Sequence, residues 1–183
     1  FYHFRKVNQS HWEAFQENKL TKEEVLTQRF VNYFKDYQIE VDGKQADHIF
    51  RDELAKAKPS FFDDTLETID YLRENHNIYI VTNGVTETQQ RRIAQTTFNE
   101  TLNGIYISEQ TGFQKPMPEF FDYIFKEIGE QQRESAIIVG DSLTSDILGG
   151  YNARIATCWF NLRGKENQTS IQPDYCLLYT SPS

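Results

Sequence analysis

Apolar residues in the first third of the chain recur at helical spacing. Phe4, Val7, His11, Trp12 and Phe15 form one stripe. Leu26, Phe30, Tyr33, Phe34 and Tyr37 form a second, and Ala46, Ile49, Phe50, Leu54 and Ala57 a third. This periodicity predicts three amphipathic helices. Thr21 with Glu24 reads as a capping box that opens the second helix. Gly43 marks the turn before the third. Short polar joins make the three a small helical bundle, and it ends near Lys58-Pro59-Ser60, where proline breaks the pattern.

Beyond residue 60 the period changes. A helix over Asp63 to Glu74 leads into the apolar run Ile78-Tyr79-Ile80-Val81, and a helix over residues 86–97 leads into Ile105-Tyr106-Ile107. Residues 118–128 are strongly helical, with Phe121, Ile124, Phe125 and Ile128 on one face. Ala136-Ile137-Ile138-Val139, a helix from Thr144 to Tyr151, and Ile155 through Phe160 complete the pattern. Short β-branched runs alternating with helices predict βα units and a parallel sheet. The runs are continuously apolar, as expected when helices cover both faces. The fold class is therefore α/β, with a helical domain over residues 1–60, a core over 61–176 and an atypical tail over 177–183. That tail, Leu177 to Ser183, has no helical period.

Composition narrows the function. The chain has 183 residues, enough for one core and a small accessory domain, and a formal net charge of −8. An acidic surface argues against nucleic acid or an anionic membrane as partner. A small anionic substrate stays open, because a local pocket can oppose the global field. Cys158 and Cys176 make no C-x-x-C pair, so the expectation is two reduced thiols in a cytoplasmic protein. No apolar run approaches the ~18 residues that a membrane span needs. His3, His11, His48 and His76 are scattered without metal spacing. Trp12 reads as core packing and Asn8 as a solvated helix position.

In an open parallel sheet, ligands bind beyond the carboxyl ends of the strands. After Val81 come Thr82, Asn83 and Gly84. Asn-Gly is a common turn, but a hydroxyl with exposed N–H groups at the head of a helix also suits phosphate oxygens. After Ile107 a longer connection reaches Lys115-Pro116. This is either a surface lysine before a helix or a cation aimed at developing negative charge. After Val139 come Gly140, Asp141 and Ser142, then Asp146 one turn into a helix. Asp141 could cap that helix. Two carboxylates near one strand end also suit a hard divalent cation such as magnesium. The three signals follow three separate strands, which makes them stronger together than alone.

In these motifs the chain resembles the haloacid dehalogenase (HAD) superfamily, subfamily I. Ile80 through Gly84 looks like its second motif, Lys115-Pro116 its third, and Gly140-Asp141-Ser142 through Asp146 its fourth. Val7-Asn8 with Trp12, and Ala156 through Asn161, are most similar to the pyrimidine 5′-nucleotidase branch. The resemblance implies a Rossmann-like core with a helical cap, and a Mg2+-dependent phosphatase that acts through an aspartyl-phosphate. The implied substrates are phosphate monoesters, with nucleoside 5′-monophosphates foremost. Thr82, with the Asn83 and Gly84 backbone, would hold phosphate. Lys115 would bridge phosphate and nucleophile. Asp141 would ligate magnesium, with Asp146 supporting the metal shell or the lysine.

The sequence departs from the family in three places. No apolar strand ending in the first motif, Asp-x-Asp-x-Thr, is present; Asp63-Asp64-Thr65 opens a helix and reads as an N-cap. The expectation is a chain that begins in mid-pattern at Phe1, lacks its nucleophile and first strand, and is inactive by itself. Arg154 stands where the family places a helix-ending glycine. After Tyr175 the family continues into a strand and a helix, whereas the expectation here is a stretch, Cys176 to Ser183, with no helical period. Within the same family, a sugar-phosphate or phosphoglycolate phosphatase and a phosphomutase are alternatives. A haloacid dehalogenase needs no magnesium, which the acidic pair argues against. A signalling receiver domain places its acids before its Thr and Lys-Pro, the reverse of the order here. A non-catalytic phosphate- or metal-binding remnant is the alternative from another class.

Overall fold

The structure, a computed structural model, describes residues 2–178. It divides into two units, Phe1–Gln110 and Thr111–Ser183.

In the first unit, α1 (Tyr2–Gln16), α2 (Lys22–Lys35) and α3 (Gly43–Lys56) form the predicted bundle. The capping box is present: the Thr21 N–H donates to Glu24 Oε2 at 2.7 Å, and Thr21 Oγ1 accepts from the Glu24 N–H at 3.2 Å. Gly43 is not in the turn before α3 but is its first residue, because Asp42 provides the cap. Its lack of a side chain has another use. A Cβ there would lie 2.4 Å from the Thr27 carbonyl, so glycine lets α3 approach α2 closely.

Phe4, Phe30 and Phe50 fill the bundle centre, with ring centroids 5.2–5.6 Å apart. Arg29 is buried among them, its guanidinium 4.9 Å from the Phe30 ring centroid. Asp47 accepts from Arg29 at 2.5 Å and from Arg51 at 2.6 Å. Asn8 is half-buried and accepts from Arg29 Nη1 at 2.7 Å, so it belongs to this network and not to a solvated face. Trp12 packs edge-on against Phe15. His11 is buried, bonded to the Val7 carbonyl and to Asn32.

The chain continues through α4 (Thr65–Arg73), β1 (Tyr79–Thr82), α5 (Thr86–Ile93), α6 (Phe98–Thr101), β2 (Gly104–Ile107) and a short α7 (Ser108–Thr111). Asp64 takes the N-cap position of α4 in a left-handed conformation (φ 62°), without a side-chain capping bond. The helix predicted to reach residue 97 stops at Ile93. Thr96 Oγ1 bonds the Ile93 carbonyl and accepts the Phe98 N–H, which competes with helix propagation. β1 and β2 pair in parallel, with Thr82 opposite Ile107. Arg91 of α5 reaches Asp52 of α3 at 2.9 Å, tying the bundle to the segment after β1.

In the second unit, α8 (Pro118–Ile128) buries Phe120, Phe121, Ile124 and Phe125, with Pro118 at its first turn. A 3-10 turn (Glu130–Ser135) precedes β3 (Ile137–Gly140). A π-helical turn (Leu143–Ile147) leads into α9 (Leu148–Ala153), β4 (Ala156–Asn161) and β5 (Tyr175–Leu178). These strands form a parallel sheet in the order β3-β4-β5. A Cβ at Gly150 would lie 2.6 Å from Ile138 and 2.7 Å from Thr157, so glycine seats α9 directly on the sheet. Arg154 ends α9 in the left-handed conformation (φ 58°, ψ 41°).

Two further features differ from the sequence reading. Leu177 and Leu178, placed there in the tail, lie in β5 opposite Phe160 and Asn161; residues 179–183 fall outside the described residues. Strand β3 is covered on one face only: Ile138 is buried, whereas Ile137 and Val139 are 50% and 56% exposed. Among the described residues β3 pairs with β4 alone, and β1 with β2 alone. No helix among the described residues is long and apolar enough to cross a membrane.

Candidate active site

The residues singled out by sequence fall in both units. Thr82, Asn83 and Gly84 belong to the first, and Lys115, Asp141 and Asp146 to the second.

In the first unit, β1 ends at Thr82 and α5 starts at Thr86, which leaves a three-residue turn between them. Thr82 Oγ1 accepts two hydrogen bonds, from the Gly84 N–H at 3.0 Å and from Gln89 Nε2 at 2.9 Å. A hydroxyl that accepts twice has its own proton left to donate. A phosphate oxygen is a suitable acceptor. The Gly84 N–H thus orients the hydroxyl. Gly84 also makes room for Gln89, since a Cβ on Gly84 would lie 2.2 Å from Gln89 Nε2. The Gly84 carbonyl accepts from Lys22 Nζ at 3.0 Å. Lys22 pairs with Glu109 Oε1 at 3.0 Å, and Glu109 Oε2 accepts the Thr86 N–H at 2.6 Å.

In the second unit, Lys115 and Asp146 are both buried, and Lys115 Nζ donates to Asp146 Oδ1 at 2.6 Å. The Lys115–Pro116 peptide is cis. Asn152 of α9 donates to the Pro116 carbonyl at 2.9 Å, fixing this loop. Asp146 Oδ2 accepts the Ser142 N–H at 3.1 Å. Its close approach to β3 depends on Gly140, where a Cβ would lie 2.3 Å from the Asp146 carboxyl carbon.

Asp141 is not the helix cap. Ser142 takes that role, accepting the Ser145 N–H, and Asp141 stands exposed at the end of β3. The Asp141 carbonyl is held by Trp159 Nε1 at 3.2 Å. Its carboxylate is a hard oxygen donor open to solvent, which fits magnesium. Asp146 is differently placed, because each of its oxygens already accepts a hydrogen bond. Among the described residues no three His, Cys, Asp or Glu side chains gather into a metal site. Cys158 is buried and Cys176 exposed; both are free thiols, and burial pushes the Cys158 thiol up.

Sequence reading missed Lys22, Gln89 and Glu109. Gln89 carries no local signal, since its contact with Thr82 needs the turn to be folded. Lys22 does carry one: a cation in the first turn of a helix opposes the helix dipole, whereas Glu23 and Glu24 beside it obey the rule.

Residues 2–160 match the family described as haloacid dehalogenase-like hydrolase. HAD-hydrolase YfnB of Bacillus subtilis is 40% identical over 172 residues, spanning 94% of this chain and 73% of that protein. Pyrimidine 5′-nucleotidase PynA of Streptococcus pneumoniae is 33% identical over 171 residues (92% of this chain, 71% of that one). Pyrimidine 5′-nucleotidase YjjG of Escherichia coli is 30% identical over 175 residues (96% and 76%). A crystal structure of YfnB, described as bound to magnesium, superposes with a TM-score of 0.86 at 38% identity, covering 95% of this chain and 75% of that one.

Proposed function

Because the chain belongs to the haloacid dehalogenase-like hydrolase family, we propose that it is the phosphate-handling part of a magnesium-dependent phosphatase acting on nucleoside 5′-monophosphates. Its similarity to two pyrimidine 5′-nucleotidases supports pyrimidine nucleotides as the first substrates to test. The observation that carries the reading is the buried Lys115–Asp146 pair beside the exposed Asp141 carboxylate. A buried lysine held in place by a carboxylate is preorganised to meet charge on a transferring phosphoryl group.

The local geometry within each unit supports the following roles. The Thr82 hydroxyl, oriented by Gly84 and Gln89, donates to a phosphate oxygen, and the Asn83 backbone lies in the same turn. Lys115 neutralises phosphoryl charge. Asp146 holds Lys115 and the Ser142 N–H, so it acts as a positioning residue. Asp141 would hold magnesium, with waters and substrate oxygens as the other ligands. Bound there, magnesium would supply charge neutralisation at the phosphoryl oxygens.

The nucleophile belongs to an Asp-x-Asp-x-Thr strand that these 183 residues do not contain. Its carboxylate oxygen would bond to phosphorus as the ester oxygen leaves and takes a proton from the second aspartate. Water would then release phosphate from the aspartyl-phosphate. On this reading residues 1–60 are the cap, the following residues through β5 the core, and the setting cytoplasmic, in keeping with two free thiols.

The test is the coding sequence upstream of Phe1, followed by an assay of the longer chain. An apolar strand ending in Asp-x-Asp-x-Thr, with magnesium-dependent release of phosphate from UMP faster than from phosphoglycolate or a sugar phosphate, is the expected result. A start codon immediately upstream with no such motif would sink the hydrolase reading for this chain. Faster turnover of a sugar phosphate would move the substrate within the family.

A further inference from the structure

The helical bundle reaches the turn after β1 through Lys22. This residue opens α2, where a cation opposes the helix dipole. Burial depresses its pKa, as it leaves water at 18% side-chain exposure. Neither effect is repaired within α2; the compensating contacts lie across the unit. The ammonium donates to the Gly84 carbonyl at 3.0 Å and pairs with Glu109 at 3.0 Å. Burial alone would raise the Glu109 carboxyl, but the Thr86 N–H and Lys22 outweigh it and hold it below its ordinary value. Both pKa values are lowered, Lys22 chiefly by burial and Glu109 by its hydrogen bonds, and the 3.0 Å contact makes the two an ion pair.

Together they grip both ends of Gly84–Thr86: Lys22 takes the carbonyl at one end, and Glu109 the N–H at the other. The N–H of the same Gly84 orients the Thr82 hydroxyl. We propose that Lys22 and Glu109 are positioning residues that set the phosphate-binding turn from the helical bundle. This inference rests on the phosphate reading of Thr82. The pair leaves the chemistry to other groups and makes the donor geometry at Thr82 depend on where α2 sits.

Inorganic phosphate titrated into the 183-residue chain, with the Thr82 and Asn83 amides followed by NMR, tests it. The wild-type amides shift saturably. Lys22→Met weakens phosphate binding about tenfold, the loss of one charge-assisted hydrogen bond, and Lys22→Arg recovers most of it. Glu109→Ala discriminates between mechanisms. Removing a negative charge raises anion affinity by electrostatics alone, whereas losing the grip on Thr86 lowers it. Weaker binding by Glu109→Ala, with an unchanged circular dichroism spectrum, is the expected result. Unchanged binding by Lys22→Met, or tighter binding by Glu109→Ala, overturns the positioning role and leaves the phosphate reading intact. Wild-type amides that ignore phosphate overturn both.

Discussion

Arg154 shows how a single residue can be at odds with its backbone. It closes α9 at φ 58°, where a Cβ crowds the adjacent carbonyl. Glycine has no Cβ and suffers no such penalty. Arg154→Gly is expected to stabilise the second unit by about 1 kcal/mol, less some entropy gained by the unfolded chain. A thermal melt that rises by about 2–4 °C checks this; an unchanged or lower midpoint would mean that Arg154 contributes something that offsets its strain. Asn8 makes a related point. By composition it suits solvent, yet the buried Arg29 guanidinium takes its side-chain oxygen. A buried charge needs every acceptor within reach.

At the scale of elements, the segment from β3 into α9 is built around clearance. Gly140 ends the strand, Ser142 caps the next turn, and the π-helical turn brings Asp146 back over Gly140 to reach Lys115. Gly140→Ala would place a methyl 2.3 Å from the Asp146 carboxyl carbon and 2.5 Å from its Cβ. Because Asp146 is buried, it cannot swing aside without leaving Lys115. The expected loss is about 3 kcal/mol, in the range for breaking a buried ion pair. Urea unfolding should place Gly140→Ala close to Asp146→Asn. Wild-type stability in Gly140→Ala would show that the turn has slack. The turn after β1 uses glycine in the same way, with Gly84 making room for the Gln89 side chain that reaches Thr82.

For the molecule as a whole, the telling feature is the bare face of β3. Strands of a parallel sheet are ordinarily covered on both faces, yet Ile137 and Val139 are half or more exposed. Tyr175, Leu177 and Leu178 of β5 are exposed as well. Apolar strand surface of this kind favours self-association. The 183-residue chain is expected to associate in solution and to show no turnover of UMP. Val139→Lys, which places a charge on the exposed position, should reduce light scattering without loss of secondary structure. A monodisperse wild-type chain with a cooperative melt would contradict this account.

The sequence by itself determined the α/β class, the three bundle helices, the first four of the five strands and the residues at the carboxyl ends of three of them. Those are local properties: hydrophobic period, β-branched runs and cap chemistry act over a few residues. The range of α8 was legible to the residue, because Pro118 starts it and its apolar face is continuous. The end of α5 was not, since a Thr96 side-chain bond decided it. Which polar groups meet was legible only in part, since the family resemblance alone offered Asp146 as support for the lysine. Lys115 finds Asp146 across 31 residues, and Lys22 finds Gly84 across 62. Asp141 and Asp146 read alike in sequence, as two acids near one strand end. The family resemblance gave them different roles, and folding supplied the physical reason: Ser142 took the cap and left Asp141 in solvent, while the clearance at Gly140 drew Asp146 onto the lysine. Such roles are set by distances between segments that the chain brings together only on folding, and no local pattern encodes them.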